Sequence, residues 1–294
     1  MPKVTQLAEQ ARGLSRLSQP DSVRVVAVTS GKGGVGKSNL SVNLSSVFAQ
    51  RKQSVVLMDA DLGLANVDLF LGVRPQYDLQ HVISGERSLE EIMVETAQGI
   101  RVIPAASGVQ SMAELSPAEH AGLIRAFSEL SIPVDVLIID TAAGISDSVV
   151  SFSHAAQEVI VVVCDEPASI TDAYALMKVL NRDNGVNRFQ IVTNMVKSAS
   201  QGLGLYEKLA AVAGQYLNCS VGYLGHVPFD DNLRLAVRRQ QPVVDGFPES
   251  KSALALKQIA DRIESLPVPP SSGYIEFFLE RMVAANSSTV GAGR

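Results

Sequence analysis

The chain has 294 residues, 46% of them hydrophobic, and 30 acidic against 25 basic side chains give a net charge of −5. This composition excludes a largely disordered protein, and the acidic balance argues against non-specific nucleic-acid binding as its main task. The two cysteines, Cys164 and Cys219, exclude a disulfide-stapled scaffold and show no metal-ligand spacing.

Residues 1–20 read as an appendage. A short helix is expected over Gln6–Leu17, with Leu7, Ala11, Leu14 and Leu17 on one side, and residues 18–22 read as a linker. No signal-peptide core and no apolar run near 18 residues is evident, so the expected compartment is the cytoplasm. Strands are expected at Val23–Val28, Ser54–Asp59, Arg101–Pro104, Val134–Asp140, Val159–Cys164, Phe189–Thr193 and Val221–Val227. Between them, helices are expected at Asn39–Gln50, Pro117–Leu130 (capped by Ser116), Ile170–Asn181 and Tyr206–Tyr216. Leu233–Gln240 and Ser252–Leu266 follow as helices. This alternation predicts an α/β domain over residues 21–266, a doubly wound and mostly parallel sheet flanked by helices. Its ligands should sit at the carboxyl ends of the strands.

The first strand runs into Gly31, Lys32, Gly33, Gly34, Val35, Gly36, Lys37 and Ser38, and a helix follows from Asn39. The pattern G-x-x-x-x-G-K-S between a strand and a helix is the phosphate loop. Glycines let successive N–H groups turn toward phosphate oxygens, and the helix adds its positive end. Lys37 is placed to reach the β- and γ-phosphates of ATP, and the Ser38 hydroxyl to hold Mg²⁺. Three aspartates stand at strand ends. Asp140 is assigned to the metal, Asp59 to the support of the metal shell, and Asp61 to the attacking water. Two later strand ends offer groups for the base: Asn194, and the segment Pro228, Phe229 and Asp230.

These residues resemble the MinD/ParA ATPases, a branch of the SIMIBI class of P-loop NTPases. The early Lys32 matches their deviant Walker A loop. Residues 59–66 resemble their switch I, and Asp140, Thr141, Ala142, Ala143 and Gly144 resemble their switch II. Asn194 and Pro228–Asp230 resemble their adenine-recognition elements. The match runs from about Val23 to Leu266. Within the family the chain most resembles the FlhG/FleN group of flagellar-number regulators, notably at residues 102–108, 140–151 and 164–175. The resemblance implies an ATP-bound homodimer in which Lys32 reaches across to the partner's phosphates, slow hydrolysis to ADP, and a role in flagellar number and placement.

It also implies uses for both ends. Residues 267–294 hold a helix with Tyr274, Ile275, Phe278, Leu279, Met282 and Val283 on one face, resembling the family's membrane-binding helix. In this reading the ATP state lies on the inner face of the cytoplasmic membrane, at the cell pole. Residues 9–16 resemble the activator motif through which this group stimulates the flagellar SRP-type GTPase FlhF, with Gln10 and Leu14 as contacts. A flagellar transcriptional regulator and basal-body switch proteins are further implied partners. The competing expectations are a ParA-like DNA- or cargo-positioning ATPase, resting on Arg234, Arg238 and Arg239, and a MinD-type division-site regulator. A nitrogenase-type reductase would need paired cysteines, and a biotin-synthesis ligase would leave both ends unused.

Overall fold

The computed structural model describes residues 23–61, 66–105, 122, 123, 125–127 and 129–267. Its sheet runs β3-β4-β2-β5-β1-β6-β7-β8. The strands are β1 (Arg24–Ser30), β2 (Val55–Ala60), β3 (Val94–Glu95), β4 (Arg101–Ile103), β5 (Val136–Ala143), β6 (Glu158–Cys164), β7 (Arg188–Val196) and β8 (Ser220–Pro228). All neighbouring pairs are parallel except β3 with β4. The two-residue edge strand β3 was not expected, since so short a run carries no periodicity.

Residue alternation along each strand assigns the two faces. Val26, Val28, Leu57 and Ile138 pack against α1 (Lys37–Gln50), α9 (Val243–Gly246) and α10 (Lys251–Ser265). Their neighbours Val25, Ala27, Met58 and Ile139 point the other way. There they meet α3 (Leu79–Ile83), α4 (Leu89–Ile92) and Phe152 of α5 (Asp147–Ala155). Val161, Val163 and Ile191 on that second face pack against α6 (Pro167–Arg182) and α7 (Ala199–Tyr216). Strands covered on both sides have to be continuous apolar runs, and that is how they read in the sequence. The short helix α2 (Val67–Leu71) follows β2, and α8 (Asp231–Arg238) follows β8.

Several elements differ from expectation. Helix α7 begins seven residues before the expected Tyr206, because Ser198 caps it with a hydrogen bond from the Gln201 N–H at 3.2 Å. Glycines at 202 and 204 lower the local helix propensity and hide that start. Helix α5 was not foreseen at all. Its serines and β-branched residues are poor helix formers, yet Val149, Val150, Phe152 and Ala155 are buried, so tertiary packing decides. Of the helix expected at Pro117–Leu130, residues 122, 123 and 125–127 are helical. The strand order reverses around β1, which opens a crevice at the carboxyl ends of the central strands.

Candidate active site

Residues 31–36 connect β1 to α1 and form the floor of that crevice. A Cβ on Gly31 would lie 2.1 Å from the Asp172 carbonyl carbon of α6, so the loop begins pressed against another backbone. Gly36 has φ +93, a conformation that disfavours any side chain. It precedes α1 without a capping side chain, and no acidic residue stands in the first turn. The positive end of α1 is therefore left for an anion from outside the helix. Above it lies a cavity of about 630 Å³, within the range of nucleotide-sized sites. Gly33, Gly34, Lys37, Ser38, Asn39 and Asp61 line it, with Asn66 and Phe70 from the switch I side. Ala142 and Ala143 of β5 and Val237 of α8 complete the wall.

Lys37 is 8% exposed. Burial lowers its pKa, while Asp140 and then Asp61 oppose the shift, so both carboxylates lie within electrostatic reach of this ammonium. The pairing of β2 with β5 sets Asp59 opposite Asp140. Asp140 is 1% exposed and accepts hydrogen bonds from Ser38 and from the Ser41 hydroxyl, the latter at 3.0 Å. The Asp140 pKa is raised to about 7, chiefly by burial; Ser38 hydrogen bonding opposes the shift and the nearby Asp59 adds to it. Burial likewise raises Asp59 to about 6.

Asp59 does more than stand beside a metal. Its carboxylate accepts the N–H groups of Asp61 and Asn66 at 3.0 Å and of Val67 at 3.2 Å. It thus holds Asp61 to Asn66 and Val67, and three backbone donors already occupy its oxygens. A bound Mg²⁺ would be held by the Ser38 hydroxyl and the Asp140 carboxylate, directly or through water. Buried carboxylates held above their usual pKa fit a cation, and Mg²⁺ takes few protein ligands when it also takes phosphates. Among the described residues no group of three or more His, Cys, Asp or Glu could hold a metal by itself.

A pH dependence follows. Asp140 ionises at a higher pH in the folded protein than in the unfolded chain, so its ionisation removes stability as pH rises from about 4 through 7. Asp140→Asn is therefore expected to raise the melting temperature of the nucleotide-free protein at pH 8 by roughly 5 °C. The gain should shrink as pH is lowered toward 4. Thermal melts at several pH values check this, and a pH-independent difference would refute it.

The remaining candidates fall in different places. Lys32 is paired with Glu166, the residue before α6, and hydrogen bonding and charge from that partner raise the lysine pKa. Lys32 stays partly exposed. The Thr141 hydroxyl donates to the Val28 carbonyl at 3.2 Å, and the Gly144 N–H donates to the Ser30 carbonyl at 2.9 Å, which moors this segment to β1. Asn194 is 8% exposed; its amide donates to the Val35 carbonyl at 2.8 Å and accepts from the Met195 N–H at 2.8 Å. In this arrangement its hydrogen bonds serve the loop and its own strand. Asp230 caps α8 through the Asn232 N–H and also accepts from the Ser252 N–H and hydroxyl. Its carboxylate is engaged in structure, which leaves the backbone end of β8 at Pro228 and the exposed Phe229 as the open part of that segment. Gln10, Leu14, residues 62–65 and the apolar face from Tyr274 to Val283 lie outside the described residues.

Two contributors escaped sequence reading. Ser41 stands one turn after Ser38 on the same face of α1, a spacing that could have flagged it. Glu166 carried no such signal, since its contact with Lys32 exists only through the fold.

Comparison with known proteins agrees with this geometry. Residues 22–264 match the ParA family model, described as NUBPL iron-transfer P-loop NTPase. The chain is 51% identical over 271 residues to the antiactivator FleN of Pseudomonas aeruginosa, covering 92% of this chain and 97% of that protein. It is 32% identical to the flagellum site-determining protein YlxH of Helicobacter pylori, covering 83% of each. Among solved structures, the MinC:MinD cell division complex of Aquifex aeolicus aligns with a TM-score of 0.66 at 27% identity. That match covers 84% of this chain and 97% of that one.

Proposed function

As this chain belongs to the ParA/MinD family of P-loop NTPases, in the branch that holds the antiactivator FleN, we propose that it is a slow ATPase whose ATP-bound dimer regulates flagellar number and placement. The observation that carries this reading is the one-sided site. Lys37 and Ser38 line the phosphate cavity, the buried Asp140 accepts a hydrogen bond from Ser38, and Lys32 of the same loop is partly exposed and paired with Glu166. The switch-flanking Leu69 and Ile145 are 59% and 53% exposed, an apolar border suited to a second copy. A cation delivered across such a border stabilises charge on the terminal phosphate only when two subunits meet. Size-exclusion chromatography with a non-hydrolysable ATP analogue tests this: a dimer is expected, and a protein that stays monomeric at saturation ends the reading.

The apolar pattern of the sequence at Tyr274–Val283 is the basis for cycling onto lipid. Among the described residues no helix is long and apolar enough to cross a membrane. A single interfacial helix with two glutamates binds weakly, and two copies on one dimer gain by effective concentration. Removal of residues 273–294 is expected to release the ATP-bound form from anionic liposomes while hydrolysis continues. Undiminished co-sedimentation would remove residues 273–294 from the lipid-binding role. The N-terminal segment with Gln10 and Leu14 is assigned to an SRP-type GTPase partner, FlhF, on its motif alone. A DNA-positioning role has less support, because Arg234 lies over Phe229 and Arg239 over Phe247 within an acidic chain.

A further inference from the structure

Helix α2 is shared by two cavities. Phe70, and Asn66 just before the helix, line the phosphate cavity, whereas Val67 and Asp68 line a second one of about 310 Å³. That volume falls within the range of small-ligand sites. Asp59 joins the two. It lines the second cavity, while its carboxylate accepts the N–H groups of Asp61 and Asn66, which line the first.

The lining of the second cavity combines acceptors with flat rings. Asp59, Asp68 and Asp78 supply carboxylates, and Tyr77 and His81 supply rings whose centroids lie 5.2 Å apart at 73°. One oxygen of the half-buried Asp68 accepts the Leu69 N–H at 2.8 Å, and among the described residues nothing pairs with the other. No lysine or arginine is among the described lining residues, and the stretches 62–65 and 106–121 contain none. Arg87 lies over the Tyr77 ring at 4.4 Å, but it is paired with Glu91 and does not line the cavity. Among the described residues no group of three or more His, Cys, Asp or Glu could hold a metal ion. The complement of this lining is therefore an organic cation with a flat body. A guanidinium meets both demands, since it is planar, stacks on rings and pairs two N–H groups with one carboxylate.

We propose that the second cavity receives the guanidinium of an arginine from a partner protein, and that its occupant acts on the phosphate site through α2. The link to ATP rests on the ATPase reading above; the cation site does not. Free arginine would bring its own carboxylate among three others, whereas an arginine within a chain brings none. A group drawn to Asp68 and Val67 biases the helix that also carries Phe70. Occupancy of one cavity then changes affinity at the other, by the same factor in both directions.

The test measures binding of N-acetylarginine amide to the nucleotide-free protein by ligand-observed NMR. A Kd on the order of 1 mM is expected for so small a probe. The uncharged N-acetylcitrulline amide should bind about tenfold more weakly. Asp68→Asn keeps the side-chain shape, and Gln76→Lys places a tethered ammonium at an exposed position of the lining. Both should melt within about 2 °C of the wild type and bind the arginine probe roughly fivefold more weakly or worse. Equal binding of the arginine and citrulline probes, or undiminished affinity in Asp68→Asn, overturns the site. Free arginine that binds as tightly as the blocked form overturns the assignment to a partner chain. Saturation with AMP-PNP and Mg²⁺ should change the affinity for the arginine probe about fivefold or more, and an unchanged affinity overturns the action through α2. Protein that takes the arginine probe but not AMP-PNP overturns the ATPase reading, and the link with it, while the site stands. The reverse result removes the site alone.

Discussion

Lys37→Ala is expected to weaken ATP binding by about 10²–10⁴-fold and to abolish hydrolysis. Removing one partner from a buried charge pair costs on the order of 3–5 kcal/mol, which converts to that range. The premise is structural. Lys37 is 8% exposed at the base of the loop, with Asp140 and Asp61 acting on its charge. No other lysine lines the described part of the cavity, and Lys32 is held aside by Glu166, so no neighbour is placed to substitute. Lys37→Met keeps most of the apolar stem and should fail in the same way, which separates lost charge from lost packing. Calorimetry with ATP reads the effect, and micromolar affinity in either variant would take the loop out of consideration as the phosphate site.

The second large effect is expected at Asp61. Asp61→Ala should bind ATP within a few-fold of the wild type and lose hydrolysis by about 10²-fold or more, the usual scale for a group that orients or deprotonates water. Asp61 lines the cavity beside Lys37, and its N–H is fixed by the Asp59 carboxylate at 3.0 Å. The residue is thus presented at the start of switch I by a buried clasp, not by a free loop. Since ATP binds without being cleaved, the variant should accumulate as a dimer with ATP and revert to monomer with ADP. Phosphate release and chromatography in parallel would test both halves. A normal turnover rate would remove Asp61 from the water, and monomer in both nucleotides would separate hydrolysis from assembly.

The phosphate loop was legible because its requirement is local. A tight glycine turn between a buried strand and a helix is written in consecutive residues, and the same holds for the apolar strands that flank it. The short helices after β2 and the serine-rich α5 were not legible, because their own propensities are weak and burial against the sheet forms them. At the site the aspartates were legible as strand-end carboxylates, but not their division of labour. Asp59 and Asp140 look alike in the sequence. Only the fold gives one three backbone N–H partners and the other two serine hydroxyls. Asp230 shows the same limit. Its segment was expected to line the base through its backbone, and only the fold shows that α8 and Ser252 engage its carboxylate.

By itself, the sequence determined that this protein carries a phosphate loop on an α/β sheet, with strand-end carboxylates near it. Hydrogen-bonding geometry over a few adjacent residues is enough to specify that much. Tertiary structure alone decided which groups meet: Asp59 opposite Asp140, Lys32 against Glu166, and Asn194 between Val35 and Met195. Those contacts join residues far apart along the chain. Strand order and helix packing bring them together, and no local pattern of side chains encodes either one.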